Sequence, residues 1–370
     1  MKIVVANENL ETVAIIDEFE SLIWTDRYNK PGDFELYLSA HSPFMEYLKE
    51  DYYCFISESD YTMIIEGIEI RTNNETGDKA IITGRSLESI LDRRIVWKQT
   101  NFKKKTIEYI VQKLVNDNVI NPSDAKRAIP NFYYMPSSDE YITTTRTSAQ
   151  YTGDNILDVV CEICEAFEIG FRVICQDLEV NGTVYKDVFT FELYDGVDRT
   201  YDQDENPYVI FSPKFDNIID SDYIESNKTL KNITRVFGEG EGKNRKTKTV
   251  FELEEEPIGM ERRELFTDAR DVSSTVDDGQ GGTETLSDDE YKEALEQRGH
   301  EKLAENTQTK SFAGEVESSI LFVYGRDFFM GDIVQIENEF GISGTARVVE
   351  FVRTQDKDGI KMYPTFEAIE

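Results

Sequence analysis

The chain has 370 residues, enough to bury a sizeable core across roughly two to four domains. Its 73 Asp and Glu stand against 40 Lys and Arg, a formal net charge of −33, with 12% aromatic residues. The charge argues against a protein built to grip nucleic acid, which needs clustered cations, and the aromatic content argues against a disordered acidic chain.

The N-terminus, MKIVVANENLETVAIID, carries one lysine and a short strand-like apolar run. It lacks the apolar core and cleavage site of a signal peptide, so the expectation is synthesis in a cytoplasm. No run approaches the roughly 18–20 apolar residues of a membrane span, and no stable membrane insertion is expected.

Residues 1–98 read as mostly strand, with candidates at 3–6, 12–16, 22–28, 34–39, 52–57, 63–71 and 80–83. Turn residues separate them, including Lys30-Pro31-Gly32-Asp33 and the polar run at 73–78. Short strands at this spacing predict a small antiparallel barrel or sandwich. A helical turn is expected at 43–50, and a short helix near a Ser86 cap over 86–91.

Residues 99–205 change character, and the pattern predicts a compact α+β insertion. Ile107, Ile110, Val111 and Leu114 share one helical face behind a Thr106 cap. The polar stretch 121–151 reads as loop or irregular edge strand. A second helix is expected over 154–168, with Gly170 as its C-cap. Strands at 171–176 and 188–194 follow, joined across Asn181-Gly182.

That second helix contains Cys161 and Cys164, a C-x-x-C pair, with Cys54 and Cys175 elsewhere. Ile156, Leu157, Val160, Ile163, Cys164 and Phe167 form a helical stripe, which places the pair on or beside a buried face. His41 and His300 are the chain's two histidines, so a four-ligand zinc site would need distant partners. The pair is read as core.

Strand character resumes from 206, at 208–212, 218–226 and 232–238. The loop Gly238-Glu239-Gly240-Glu241-Gly242 contains two glutamates and precedes a strand over 247–253, so it reads as a hairpin tip rather than a phosphate cradle. The basic residues at 243–246 are expected to meet an acidic neighbour. Ser287 and Glu290 have capping-box spacing and open a helix to about residue 306. Its apolar positions, Tyr291, Ala294, Leu295 and Leu303, are few, predicting that it packs on one side only.

Strand is expected again over 312–324. The last residues predict a three-stranded meander, with Ile333, Val334 and Ile336 in the first strand, then 345–354 and 361–369. Its second turn repeats an earlier string. Arg-Thr, four polar residues, Gly, any residue and Lys occur at Arg71, Thr72, Gly77 and Lys79, and again at Arg353, Thr354, Gly359 and Lys361. Apolar strands flank both copies, which points to an internal duplication.

Catalytic signatures do not emerge. There is no H-E-x-x-H, P-loop, G-x-S-x-G or EF-hand loop, and two histidines leave little for a His-dependent triad. Acids are so abundant that any glycosidase-like pair would carry no information. No catalytic, cofactor-binding or metal residue is assigned, no cofactor is expected, and the chain is read as a non-enzyme.

Several strings together carry a resemblance. Leu22-Ile23-Trp24-Thr25-Asp26-Arg27-Tyr28 with Pro31-Gly32-Asp33-Phe34-Glu35-Leu36 resembles the N-terminal signature of bacteriophage tail hub proteins, also called tail-associated or baseplate hub proteins. Residues 84–94, GRSLESILDRR, resemble the close of that family's first barrel. Lys231-Asn232 with the loop 238–242 resembles its middle hairpin, and Asp327 to Val334 a strand entry. Residues 260–310 match no part of the pattern.

The resemblance implies a mainly β chain with α+β insertions and two similar antiparallel tube-type β-barrels. The expected division is a first barrel at 1–98, the insertion at 99–205, a second barrel at 206–255 and 311–370, and a polar helical insertion at 256–310. It further implies a homotrimer at a virion tail tip, made in the host bacterial cytoplasm and joining a six-fold tail tube to a three-fold spike or fibre. Distal tail, tail tube and tape measure proteins would be its neighbours, and DNA would pass through the lumen only in transit. Two alternatives stay open, a tail-associated cell-wall hydrolase and a host-receptor adhesin. The chain stops soon after the second barrel, which leaves no room for an appended lysin.

Overall fold

Alternating apolar residues build the first seven strands: β1 (Ile3–Ala6), β2 (Thr12–Ile16), β3 (Ser21–Arg27), β4 (Asp33–Ser39), β5 (Tyr53–Phe55), β6 (Met63–Arg71) and β7 (Lys79–Ser86). In β4, Phe34, Leu36 and Leu38 are buried while Asp33, Glu35 and Tyr37 are half-buried, the period of two that sends one face into a core. Trp24, Met63 and Ile82 fill the same core. The computed structural model describes residues 1–72, 77–180, 182–215, 217, 220–277, 283–315, 321–337, 340 and 343–369; residues 180, 220–222, 277 and 310–315 are described by backbone alone.

The insertion comprises β8 (Thr100–Thr106), α1 (Ile107–Val115), β9 (Phe132–Met135), α2 (Glu140–Thr144), β10 (Arg146–Tyr151), α3 (Ile156–Ala166), β11 (Gly170–Val180) and β12 (Thr183–Tyr194). Thr106 caps α1 by accepting from the Tyr109 amide, and Asn155 caps α3. Both helices bury their apolar stripes in one core with Phe171 and Phe191. The stretch expected to be irregular holds β9, α2 and β10. β9 is ordered by a parallel pairing with β12, more than fifty residues away, and no local pattern announces that partner.

Two local expectations are corrected here. Ser86 makes no side-chain cap; its hydroxyl accepts from the Gly32 amide at 2.7 Å, and Leu87–Arg93 forms a 3₁₀ helix. Gly170 is not the C-cap of α3, because Glu168 takes the left-handed position at φ 54°. A Cβ on Gly170 would lie 2.3 Å from the Tyr28 ring, so that glycine serves close packing instead.

The remaining elements are β13 (Ile210–Phe211), β14 (Asp220–Ser226), β15 (Ile233–Phe237), β16 (Thr247–Phe251), β17 (Glu264–Asp268), β18 (Thr275–Asp277), β19 (Thr283–Thr285), α4 (Asp288–Ala304), β20 (Thr309–Glu315), β21 (Ile333–Glu337), β22 (Ser343–Asp356) and β23 (Gly359–Ile369). The capping box of α4 is complete, Ser287 and Glu290 each bonding the other's backbone. The strand expected over 312–324 is instead β20; of its remainder, 316–320 lie outside the described residues and 321–324 belong to no strand. The C-terminal meander β21–β22–β23 is formed as expected.

Thirteen of the described strands make one sheet, ordered β14-β20-β23-β22-β3-β4-β7-β6-β5-β1-β2, with β21 beside β22 and β13 beside β21. The chain is thus mainly β with α+β insertions. β22 changes partner along its length: residues 343–347 pair with β21 and residues 350–355 with β3. The register shift between Val348 and Glu350 sits at that change.

Residues 233–268, partly expected in the second tube unit, form their own sheet, β16-β15-β17, under α4. Val236 and Val250 pack there with Tyr291, Leu295 and Leu303 in a separate core. α4 is also not one-sided. Its opposite face meets α3 and β10 through buried Arg298 and Glu301, a polar contact that a search for apolar positions cannot register.

Candidate functional site

The residues singled out from sequence are dispersed rather than convergent. His41 pairs with Asp78 at 3.1 Å and His300 with Glu252 at 2.8 Å, each at the surface, and Glu252 holds the His300 pKa above its usual value. Cys164 is fully buried and Cys161 half-buried on α3. Burial pushes the Cys161 thiol up to about 12 and Cys164 well above its usual range. Among the described residues no three His, Cys, Asp or Glu converge as metal ligands. The loop 238–242 joins β15 to β16, and of the basic residues beside it Arg245 bonds Asp268 and Lys246 lies near Asp288.

What does converge is three of the four strings that carry the family resemblance, at 22–36, 84–94 and 327–334, while the one at 231–242 belongs to the sheet under α4. The three meet where β3, β22 and the insertion touch. Asp26 lies 2.6 Å from Arg353, both buried, and Ser59 donates to the Asp26 carboxylate at 2.9 Å. Burial raises the Asp26 pKa against the opposing pull of Arg353 and Ser59. One residue along, Arg27 bonds Glu350 at 2.6 Å and Asp33 at 3.0 Å.

Tyr28 is the hub of this junction. Its amide donates to Val349, its carbonyl accepts from Phe171, and its hydroxyl lies 3.2 Å from both the Glu168 carbonyl and Asp195. Arg347 sits over its ring at 5.3 Å and donates to the Gly331 carbonyl. A Cβ on Gly331 (φ 90°) would come within 2.3 Å of the ring, so the Gly-Asp at 331–332 serves close approach. Asp332 accepts from Arg199 at 2.5 Å and from Val197 at 2.8 Å, tying the link after β12 to the second half.

Glu88 completes the junction. It is fully buried, one oxygen accepts from the Val173 amide at 2.7 Å, and the other has no partner. Burial lifts its pKa to about 7. Asp26 and Glu88 both lie in strings that resemble the family, but their partners Arg353 and Val173 are 327 and 85 positions away, beyond the reach of any local pattern. Apart from Glu88, the charged groups here are paired, Asp26 with Arg353 and Arg27 with Glu350 and Asp33, so the arrangement clamps three parts of the chain.

The repeated turn is also placed. β6–β7 and β22–β23 are hairpins of the same sheet, and since β22 runs antiparallel to β3, both tips leave at the end where β3 begins and β4 finishes. Gly77 (φ 83°) and Gly359 (φ 128°) each take a left-handed position. The copies differ otherwise. Arg71 pairs with Lys79 across its hairpin, whereas Lys361 faces Thr354, and Arg71 is exposed where Arg353 is buried. Residues 73–76 of the first turn lie outside the described residues.

A family model described as Siphovirus ReqiPepy6 Gp37-like protein matches residues 2–366. No curated protein matches the chain. Among solved structures, the 43 kDa tail protein of prophage MuSo2 from Shewanella oneidensis is similar at TM-score 0.56 and 12% identity, over 99% of this chain and 98% of that one. The tail protein of Neisseria meningitidis MC58 is similar at TM-score 0.53 and 12% identity, over 99% and 96%. Prophage tail protein gp18 of Listeria monocytogenes EGD-e is similar at TM-score 0.51 and 14% identity, over 99% and 94%. At these identities the shared property is the fold.

Proposed function

The chain belongs to the Siphovirus ReqiPepy6 Gp37-like protein family, and from that premise we propose that it is the structural hub of a phage tail tip or baseplate. Family membership and three tail proteins that share its fold end to end support a structural, tail-associated role in the virion. In the finer reading, three copies form a ring that joins a six-fold tail tube to a three-fold spike or fibre. Distal tail and tape measure proteins adjoin it, and DNA passes through its lumen during ejection into the host cell.

One observation carries this reading. A single sheet spans both halves of the chain and directs both copies of the repeated hairpin to one end, on either side of β3 and β4. Three such chains would present six similar hairpins to one neighbouring ring, whether or not each half closes as a tube-type barrel. The net charge fits the same picture, because a trimer carries three times −33 and phosphate slides past like charge without adhering.

Electron microscopy of the assembled particle tests the hub. An axial trimer below the tube, with acids toward the lumen, is the expected result. A peripheral position, or a neutral or basic lumen, would remove the hub or the conduit respectively.

A further inference from the structure

Against the overall charge, residues 93–105 hold six cations and no carboxylate. Arg93 pairs with Asp51, and Lys103 and Lys104 reach acids on or just before α4. Arg94 is different. Its guanidinium donates to the carbonyls of Arg127 and Arg93, and burial together with those two cations holds its pKa below the usual value. Arg127 in turn lies 4.6 Å over the ring of Trp97, which is 60% exposed. Arg93 and Arg94 also rim a cleft of about 560 Å³, which Glu8 and Asp187 line as well and whose floor includes Leu10, Ile64, Ile129 and Phe189. An apolar floor under an arginine rim suits a segment that offers an apolar side chain beside acids.

The chain itself displays such a segment after β16. Residues 253–260 read Leu-Glu-Glu-Glu-Pro-Ile-Gly-Met, and Leu253, Ile258 and Met260 are 49%, 77% and 96% exposed. Glu256 is engaged by Arg262, whereas Glu254 and Glu255 are exposed and have no ion pair among the described residues.

We propose that the segment 253–260 of one copy docks in the Arg93/Arg94 cleft of the next, Glu254 and Glu255 facing Arg94 and Arg127 while an apolar side chain enters the floor. The contact is head-to-tail, the kind that closes into a ring when the rotation allows. It deepens the trimer reading and rests on it for the closure. A second copy is favoured over other partners because charge sign and apolar exposure are complementary within one sequence, while the rest of the surface repels itself.

The test is native mass measurement and sedimentation of the full chain. The paired variant Glu254→Lys/Glu255→Lys changes only exposed side chains, and Arg94→Glu alters the rim itself. Each should weaken self-association about tenfold or more. Combining the rim and segment reversals in one chain should restore it. Mixing a rim variant with a segment variant should yield dimers, since one intact contact forms but the ring cannot close. Trimers indifferent to all these changes would overturn the interface and leave the hub standing. A wild-type chain that stays monomeric would overturn both. Rim variants that lose binding to duplex DNA without any change in assembly would mark the patch as a polyanion site and end the proposal.

Discussion

Arg353 reaches across the sheet to Asp26 at 2.6 Å, and the two side chains are 2% and 1% exposed. They sit on β22 and β3, the strands through which the two halves of the chain join. Arg353 also lies over the ring of Phe351 at 4.7 Å, which stacks on Tyr324 at 3.9 Å. Removing one partner leaves a buried charge alone. Asp26→Ala or Arg353→Ala should therefore each cost about 3–5 kcal/mol, while Asp26→Leu with Arg353→Met should cost less than either. Urea unfolding of the two alanine singles and of the Asp26→Ala/Arg353→Ala double gives the coupling. Additive single costs would show that the pair does not hold the seam.

Glu88 predicts a pH dependence with a definite sign. Its folded pKa, about 7, lies above the ordinary carboxylate value of 4.5, so the folded state holds the proton more tightly. The contribution is fully present below about pH 4.5 and is lost as pH rises through about 7. The full span is on the order of 3 kcal/mol. Glu88→Gln should match the wild type near pH 5 and exceed it in stability near pH 8. Equal pH profiles for the two proteins would mean that the Glu88 carboxyl does not titrate in this range.

The cysteines allow a direct check on the C-x-x-C pair. With its pKa pushed up to about 12, the Cys161 thiol is a thiolate at pH 8 only on the order of once in ten thousand. Cys54 and Cys175 are raised similarly, by burial. Native protein should react with a disulfide reagent orders of magnitude more slowly than protein in denaturant, where four thiols become available. Rapid reaction of the native Cys161–Cys164 pair would restore the redox reading.

Local chemistry was legible and long-range chemistry was not. Thr106 and Ser287 cap their helices as their spacing implies, and the meander from Ile333 to Ile369 forms because turn residues and β-branched runs are adjacent in sequence. Ser86, Gly170 and Gly331 were misread or unassigned for one reason: each serves a neighbour distant in the chain, Gly32 for the first and Tyr28 for the glycines. The junction was half legible. Asp26, Tyr28, Glu88 and Asp332 lie in the strings that resemble a known family, whereas Arg347, Glu350 and Arg353 lie outside them, and nothing local says that Asp26 seeks Arg353 or that Glu88 seeks Val173.

The second face of α4 gives the last prediction. Glu301 is 1% exposed and accepts from the Tyr151 hydroxyl at 2.8 Å, while Arg298 forms ion pairs with Asp271 at 3.0 Å and Glu301 at 3.4 Å and donates to the Gln150 carbonyl. This polar contact fixes α4 to β10, and apolar Leu295 fixes the other face to the sheet of β15, β16 and β17. Glu301→Ala leaves a buried hydroxyl and weakens the counterion of a buried guanidinium, at a cost of about 3–5 kcal/mol. Leu295→Ala opens a cavity at a comparable cost of about 2–5 kcal/mol. Hydrogen exchange separates the two. Glu301→Ala should raise exchange at the α4–β10 contact while the amides of β15 and β16 stay protected, and Leu295→Ala should expose β15 and β16 themselves. If both variants loosen the same amides, α4 and its two contacts unfold as one unit, and the polar face is not a separable joint.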